Sequence, residues 1–316
     1  MKAFGLADEE ASAAMIDVPT TDPGPGEVRI RVRASSVNGF DVFVAKGFAR
    51  GMMEHRYPVV GGKDYAGVIE SVGEGVTSLA VGDEAVGITP GEQYLSRGSY
   101  AELVVVPAAR FIQRKPANLD FEQAASIGLA AVTALASVEA VEPTDGDIVL
   151  VVGATGGVGA YAVQLAARRG GTVVATSLPE DEEWIRGLGA SEVVDYSGDV
   201  AAAVRETHPD GVDASVIAVH LGDAFDATAA LVKDGGRVAS TIGGADAESL
   251  AERGIVGTNV QGQSDPGSLG TVLRMAADGT LVVPITRTFG FADLHEALGL
   301  VGQRRSRGKF AVSISN

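Results

Sequence analysis

Cysteine is absent from the 316-residue chain, and positive charge is scarce in it. Without a thiol the chain forms no disulfide and offers no thiolate as a nucleophile or as a zinc ligand. Lysine and arginine number 25 against 41 acidic residues, which leaves a formal net charge of −16. Because such a surface repels nucleic-acid phosphates and anionic lipid headgroups, we expect neither nucleic acid nor a membrane as a partner.

Patterns typical of targeting and of metal binding are missing as well. The N-terminus becomes acidic from Asp8 onward and has no apolar stretch of the secretory kind, so a cytoplasmic location is expected. The histidines show no spacing typical of metal ligands; they are His55, His208, His220 and His295. What the chain does have is an apolar fraction of 46% and 42 glycines, which predicts a large core with many tight turns.

One uncharged stretch, Ile148 to Ala167, organises the rest, and its sequence is IVLVVGATGGVGAYAVQLAA. An apolar run, a glycine-rich segment and a helical pattern predict a strand, a tight turn and a helix. The N–H groups at a helix N-terminus suit a phosphate, and glycines let that phosphate approach the backbone. The stretch therefore predicts a dinucleotide site, with a ligand-free turn as the alternative; its residues are Ala154, Thr155, Gly156, Gly157, Val158 and Gly159.

The patterns on either side of this stretch divide the chain into three segments. Residues 1–118 contain short β-segments separated by turns, as in EVRIRVRA, where charged and apolar residues alternate. In residues 119–262 strands alternate with helices, and this alternation predicts a doubly wound parallel sheet. Among the predicted elements are a buried, alanine-rich helix over residues 120–141 and a strand over residues 236–242. Residues 263–316 are mixed, and we expect them to complete the first domain. A ligand site in a cleft between the two domains is then expected.

Four motifs carry a resemblance to a known family. They are GGKDYAGVIESVGEGVTSLAVGDEAVG, GSYAELVVVP, AASIGLAAVTAL and GATGGVG. In this order they resemble the medium-chain dehydrogenase/reductase superfamily, and within it the zinc-free quinone oxidoreductase branch, which is ζ-crystallin-like. The resemblance implies an α/β protein in which a Rossmann domain, with its doubly wound parallel sheet, is inserted in a GroES-like β-rich catalytic domain. It also implies a homodimer, paired along an edge strand near residues 255–260.

Two positions bear on a catalytic metal. Zinc-dependent members of the superfamily carry a Cys-His pair and a Gly-His-Glu motif, which match Asn38-Gly39 and Gly62-Lys63-Asp64 here. Asparagine and lysine do not replace a thiolate and an imidazole as tetrahedral zinc ligands. The resemblance therefore implies a zinc-independent enzyme that does not carry out ordinary alcohol oxidation.

The chemistry that the resemblance implies is hydride transfer from a reduced nicotinamide cofactor to a small lipophilic quinone or α,β-unsaturated carbonyl compound. Negative charge then develops on the substrate oxygen, and a donor aimed at that oxygen lowers the barrier. Asn38 matches the family's active-site asparagine and is the predicted catalytic residue, with a turn-forming asparagine as the alternative. Related enzymes often have a tyrosine where this chain has Phe43, whose phenyl ring donates no proton.

The end of the second predicted strand bears on the choice of cofactor. An acid there binds the ribose 2′-hydroxyl of NAD and repels the 2′-phosphate of NADP, and this chain has Ser177 instead. Tyr196 matches a tyrosine that lies beside the 2′-phosphate in the family. NADPH is therefore the predicted cofactor and NAD the less favoured one. Against this, the run Glu180 to Glu183 is acidic where relatives that bind NADP usually carry a lysine or arginine.

Further cofactor contacts are predicted at Thr133, His220, Ile242, Gln261 and Lys309. His220 follows a predicted strand and projects from the edge where nucleotides bind, with a capping or surface histidine as the alternative. The other four match family motifs, and each has a loop or surface residue without a ligand as its alternative. Two other functions stay open: an enoyl-thioester reductase of polyketide or fatty acid synthesis, and a redox-sensing or crystallin-like protein that binds NADPH without turnover.

Overall fold

The computed structural model describes residues 1–90, 94–262, 265–303 and 306–314. The chain forms two compact units, of which unit 1 contains Met1–Leu129 with Asp265–Asn316 and unit 2 contains Ala130–Ser264. Unit 1 is rich in β-strands and unit 2 is built on a parallel six-stranded sheet, so the predicted α/β class is confirmed. The first boundary lies at Leu129, later than the expected end of the first segment at residue 118.

The first part of unit 1 consists of short strands, because its apolar runs are brief and are interrupted by glycine and proline. The strands are β1 (Lys2–Leu6), β2 (Ala14–Asp17), β3 (Glu27–Ser36), β4 (Glu54–His55), β5 (Val59–Val60), β6 (Asp64–Val72), β7 (Glu84–Ile88), β8 (Tyr94–Leu95), β9 (Leu103–Pro107) and β10 (Ile112–Arg114). A short helix, α1 (Gly39–Ala45), follows β3.

A long apolar helix, α2 (Phe121–Val141), comes next and is broken at Gly128, where φ is −6° and ψ is −122°. A Cβ at Gly128 would overlap the carboxylate of Asp64, so the close approach of these two residues requires glycine. Among the described residues, α2 is the helix that is long and apolar enough to cross a membrane, but 78% of its apolar stretch is buried inside the protein. Such burial is typical of a core helix, as the alanine-rich sequence predicts.

Unit 2 alternates strands with helices. Its strands are β11 (Ile148–Val152), β12 (Thr172–Ser177), β13 (Glu192–Asp195), β14 (Val212–Ile217), β15 (Val232–Ser240) and β16 (Val256–Asn259). Its helices are α3 (Gly157–Arg168), α4 (Glu182–Gly187), α5 (Val200–Thr207), α6 (Asp223–Ala229) and α7 (Ala247–Ala251), and a 3₁₀ turn, Pro179–Asp181, precedes α4.

The six strands of unit 2 are parallel and lie in the order β13-β12-β11-β14-β15-β16. The central strand is a continuous apolar run because a parallel sheet is covered on both faces; Val149, Leu150 and Val151 are fully buried. The predicted doubly wound sheet is therefore confirmed. The chain runs outward from β11 to β13 on one side of the sheet and from β14 to β16 on the other, so its direction across the sheet changes between β11 and β14. Doubly wound sheets bind ligands at such a point, beyond the carboxyl ends of the strands.

The segment after unit 2 adds to unit 1. Its elements are α8 (Ser268–Ala277), β17 (Ile285–Gly290), a 3₁₀ turn (Phe291–Asp293), α9 (Leu294–Gly302) and β18 (Lys309–Ser313). Strand β18 pairs antiparallel with β3, so the main sheet of unit 1 has the order β10-β7-β6-β3-β18-β17, and β9 also pairs with β3. Smaller sheets have the orders β2-β1-β5 and β4-β8. Alternate residues of β3 form the core; they are Val28, Ile30 and Val32.

Two local features differ from the predictions. The sequence did not predict α1, which begins after Asn38 because the backbone N–H of Asn38 donates to Oδ2 of Asp41 at 2.9 Å. The asparagine thus starts a helix and does not form a simple turn. Strand β15 ends at Ser240, so Ile242, predicted as its last residue, lies in the loop beyond it.

The tyrosines of the unit 1 core differ in their hydrogen bonding, which makes a matched pair of substitutions. Tyr65 is fully buried, and its hydroxyl has no hydrogen-bond partner among the described residues. The hydroxyl of Tyr100 donates to Asp41 at 3.0 Å and to the Ser36 carbonyl at 3.2 Å. We expect Tyr65→Phe to raise the free energy of unfolding by about 1 kcal/mol and Tyr100→Phe to lower it by about 1–3 kcal/mol, measured by urea denaturation. A larger loss for Tyr65→Phe than for Tyr100→Phe would contradict this assignment.

Candidate functional site

The predicted cofactor residues of unit 2, apart from Thr133 on α2, lie at one edge of its sheet. Because the strands are parallel, their carboxyl ends meet at the same edge. In sheet order, the residues at or beyond these ends are Tyr196, Ser177, the glycine turn 153–159, His220, Ile242 and Gln261. The structure thus brings to one edge six features that are far apart in the sequence.

The glycine turn leaves the N-terminus of α3 open. Gly153 has a φ of +79°, and its carbonyl accepts the N–H of Gly156 at 3.0 Å. The first intrahelical bond joins the Ala160 N–H to the Gly156 carbonyl at 2.9 Å, and the N-cap residue, Gly156, has no side chain to cap the helix. A Cβ at Gly159 would overlap the Gly153 carbonyl, so glycine is required where α3 approaches the strand end. The N–H groups of the first helical turn have no partner within the helix, and together with the glycine backbone they fit the pyrophosphate of a dinucleotide.

Ser177 and Tyr196, predicted beside the adenosine ribose, are neighbours but differ in exposure. The backbone N–H of Tyr196 donates to the Ser177 carbonyl at 3.2 Å. Ser177 is fully buried, and its hydroxyl donates to the Leu178 carbonyl at 2.9 Å. Tyr196 is 46% exposed. The Tyr196 side chain is therefore accessible at the edge of the sheet, whereas the Ser177 hydroxyl is buried and bonded to the backbone.

The other residues predicted to contact the cofactor differ in their exposure and in their hydrogen bonds. His220 is bonded through Nδ1 to the Thr228 hydroxyl at 3.0 Å, and that hydroxyl donates to the Ala224 carbonyl at 2.9 Å. Ile242 is 43% exposed and Gln261 is exposed. Thr133 lies on α2 beyond the break and is 8% exposed. Their roles in cofactor binding stay predictions.

In unit 1, Asn38 lies between groups of opposite charge. Its Nδ2 donates to Oδ2 of Asp64 at 2.8 Å and to Oδ2 of Asp41 at 3.3 Å, and its Oδ1 accepts from Lys309 Nζ at 2.7 Å. Carboxylates only accept and an ammonium only donates, so these partners fix the orientation of the amide. Both amide hydrogens are thus engaged inside unit 1. The role of Asn38 as a donor to substrate stays a prediction, and it requires one of these bonds to be exchanged.

Lys309 and Asp64 are two of the buried ionisable side chains of this network. Their side chains are 2% and 0% exposed, and Lys309 Nζ lies 3.7 Å from Oδ2 of Asp64. Asp64 also accepts the Ser36 hydroxyl at 2.6 Å and, at the break in α2, the Leu129 N–H at 2.7 Å. Burial lowers the pKa of Lys309, while the charges of Asp64 and Asp41 oppose that shift. The Lys309 ammonium is hydrogen-bonded within unit 1, and its contact with the cofactor stays a prediction.

Asp41 completes the network and has an unusual pKa. Burial, and after it the negative charge of Asp64, raises the pKa of Asp41 to about 6. The Asn38 backbone N–H, the Tyr100 hydroxyl and the Lys309 ammonium act in the opposite direction. Burial raises the pKa of Tyr100 well above its ordinary value, so this hydroxyl stays a donor.

A small pocket of about 60 Å³ opens beside this network in unit 1. Its lining is largely apolar and includes Phe40, Val44, Met53, Val59 and Leu95. Lys63, at a family zinc-ligand position, also lines it and donates to the Pro90 carbonyl at 3.1 Å. Among the described residues, no group of three or more His, Asp and Glu side chains is placed to hold a metal ion.

Sequence reasoning missed most of the Asn38 network. It singled out Asn38 and Lys309 for other roles and assigned no role in the site to Asp41, Ser36 or Tyr100. The available signal was Asp41 three residues after Asn38, which is the spacing of a helix capping box. No local pattern indicates that residues 64, 129 and 309 meet.

An open glycine turn at the switch point of a doubly wound sheet defines a nucleotide-binding α/β protein. Comparison with known families specifies the class. Residues 24–117 match the alcohol dehydrogenase GroES-like domain, and residues 188–312 match a family described as zinc-binding dehydrogenase. The chain belongs to the medium-chain dehydrogenase/reductase superfamily, and it is an oxidoreductase of a family that binds a nicotinamide cofactor.

The individual proteins that this chain resembles are named for different activities. A quinone oxidoreductase from Pseudomonas syringae pv. Tomato DC3000 is 27% identical, with a TM-score of 0.87 over 99% of both chains. An NAD-dependent alcohol dehydrogenase is 32% identical, with a TM-score of 0.84 over the whole of both chains. A mycocerosic acid synthase-like polyketide synthase of Mycobacterium tuberculosis is 33% identical over 92% of this chain, which spans only 14% of that protein.

The pKa of Asp41 leads to a prediction about stability. A folded-state pKa of about 6 against an ordinary 3.8 means that the folded protein binds this proton more tightly than the unfolded chain. The carboxyl therefore lowers the free energy of unfolding as pH rises from about 4 to about 6, by up to about 3 kcal/mol. We expect Asp41→Asn to gain stability relative to wild type over that window, measured by urea denaturation at four pH values.

Asp210→Asn, which removes an exposed carboxylate, controls for the loss of one negative charge. A constant difference between Asp41→Asn and wild type from pH 4 to pH 7 would refute the raised pKa.

Proposed function

We propose that this protein is a zinc-independent oxidoreductase that transfers hydride from a reduced nicotinamide cofactor to a small lipophilic quinone or α,β-unsaturated carbonyl compound. The observation that carries the proposal is the network at the family's metal positions. Asn38 and Asp64 are joined there to Lys309, whose ammonium repels a divalent cation. An amide and an ammonium also lack the chemistry of zinc ligands.

The residues of unit 2 would bind the cofactor. The open N–H groups of α3, from Gly157 to Gly159, would hold the pyrophosphate, and His220 and Ile242 lie beyond the neighbouring strand ends. A bound nicotinamide supplies the hydride, so the protein need only position the reactants and exclude water. From the sequence, Ser177 and Tyr196 predict NADPH as the form of the cofactor. The charged residues around these two positions bear on that prediction.

The residues of unit 1 would serve the substrate. The apolar residues that line the small pocket, Phe40 and Met53 among them, would contact the lipophilic part of the substrate. Phe43 donates no proton, so we propose that solvent supplies the proton after hydride transfer. Asn38 would donate to the substrate oxygen in exchange for one of its bonds to Asp64 and Asp41, while Lys309 holds its Oδ1 in place. A cytoplasmic homodimer, paired along the exposed edge of β16, belongs to the same proposal.

A second candidate is an enoyl-thioester reductase. It is favoured by the 33% identity to a polyketide synthase over 92% of this chain. The net charge of −16 does not favour docking to an acidic carrier protein, although it allows a free thioester substrate.

Measurements of turnover with two substrates distinguish these proposed functions. With NADH and NADPH each supplied, we expect the absorbance at 340 nm to fall rapidly with 1,4-naphthoquinone and slowly or not at all with crotonyl-coenzyme A. The reverse order of rates would establish the thioester reductase. Tight cofactor binding without turnover of either substrate would instead establish a non-catalytic binding protein.

Chelation tests the zinc-independent part of the proposal. Dialysis against EDTA is expected to leave the quinone reductase rate unchanged, because Asn38, at one of the family's metal positions, is hydrogen-bonded to the Lys309 ammonium. A zinc-dependent alcohol dehydrogenase treated in parallel provides the positive control. A loss of activity that added zinc restores would exclude a zinc-independent mechanism.

A further inference from the structure

The adenosine end of the proposed cofactor site lies where β12 and β13 end side by side. Ser177 is paired in register with Asp195, and the Tyr196 N–H donates to the Ser177 carbonyl at 3.2 Å. The 3₁₀ turn Pro179–Asp181 starts two residues beyond the end of β12. Three segments, the end of β12, this turn and the residues after β13, therefore lie close together at this edge, where the side chain of Tyr196 is half exposed.

The charge of these segments is almost entirely negative. Residues 172–199 contain seven acidic residues and a single basic one, Arg186. That arginine is held by Glu182, at 2.8 Å, and by the Ser191 carbonyl, at 2.6 Å. The guanidinium of Arg186 is thus hydrogen-bonded to α4 and to the loop that follows it. No other cation of this segment is available to a phosphate.

The negative charges reach the tyrosine ring itself. The pKa of the Tyr196 phenol is raised, first by partial burial and then by the charges of Asp181, Glu180 and Asp195. A second anion placed beside the ring would experience the same repulsion. The 2′-phosphate of NADPH carries about two negative charges at neutral pH, whereas the 2′-hydroxyl of NADH carries none. The hydroxyl is in addition a hydrogen-bond donor, which a carboxylate accepts.

We infer that the acidic side chains around Tyr196, chiefly Glu180 and Asp181, make this site select NADH over NADPH. The inference rests on the proposed function in so far as both require a dinucleotide at this edge. It reverses the cofactor predicted from Ser177 and Tyr196 alone. That prediction depended on the absence of an acid at the end of β12, but Glu180, Asp181 and Asp195 lie on the adjoining segments.

Binding of the two reduced cofactors to the full chain tests this inference without any turnover. We expect the Kd of NADPH, measured by isothermal titration calorimetry in 20 mM salt, to be at least about tenfold higher than that of NADH. Raising the salt to 500 mM is expected to narrow this ratio several-fold, because the repulsion is screened. A purely steric exclusion of the phosphate would not respond to salt.

A pair of variants identifies the residues. Glu180→Gln with Asp181→Asn removes two charges beside Tyr196 at nearly constant shape, and we expect it to narrow the Kd ratio at least threefold, mainly by tightening NADPH. Glu206→Gln with Asp210→Asn is the matched control. These exposed acids, near the end of α5 and just before β14, lie at the opposite, amino edge of the sheet. The control pair should leave the ratio unchanged.

Each outcome decides one question. Equal or tighter binding of NADPH by the wild type overturns the inference, and so does a ratio that the Glu180/Asp181 pair leaves unchanged. Binding of neither cofactor overturns both the inference and the proposed function. Selective binding of NADH without reduction of quinone or thioester overturns the proposed function alone and leaves the inference standing.

Discussion

The hydrogen bonds and charges around Asn38 are the constraint on which unit 1 depends. Asp64 and Lys309 are almost completely buried, and an isolated buried charge costs several kcal/mol, so each requires the other. Asn38 bridges them, because its two polar atoms suit a carboxylate on one side and an ammonium on the other. Four elements are thereby joined: the start of α1, strand β6, the break in α2 and strand β18. The same bonds set the direction in which the Asn38 dipole points.

The architecture of unit 2 was largely predictable from the sequence, and for a simple reason. Buried parallel strands are short apolar runs, and the glycine turn after Val152 gives the position of the first one. Once the strands are parallel, the residues after their ends must share an edge, which places His220 and Tyr196 without further information. Boundaries were less certain, as the end of β15 before Ile242 shows, because glycine-rich loops leave no periodic pattern.

The candidate site of unit 1 was only partly predictable. Asn38 was identified by motif, but its partners come from positions 64 and 309, and no periodicity links residues so distant in the chain. The break at Gly128 was also invisible, since the alanine-rich sequence predicts an uninterrupted helix. Glycine is needed there because of the Asp64 carboxylate, a neighbour that only the folded structure supplies. The fold thus follows from local patterns, whereas the electrostatics of the site follow from long-range contacts.

Strand β18 has a consequence for how the protein is made. It lies beside β3 in the sheet, yet Lys309 and its acceptor Val37 are separated by 272 positions in the chain. During synthesis, the ribosome must therefore produce the whole of unit 2 before it releases the strand that carries this lysine. Unit 2 is continuous in sequence and can fold as soon as it emerges. Until then Asp64 lacks its counter-ion, so the nascent protein would complete its nucleotide-binding unit first and hold an unfinished β-rich unit until β18 has emerged.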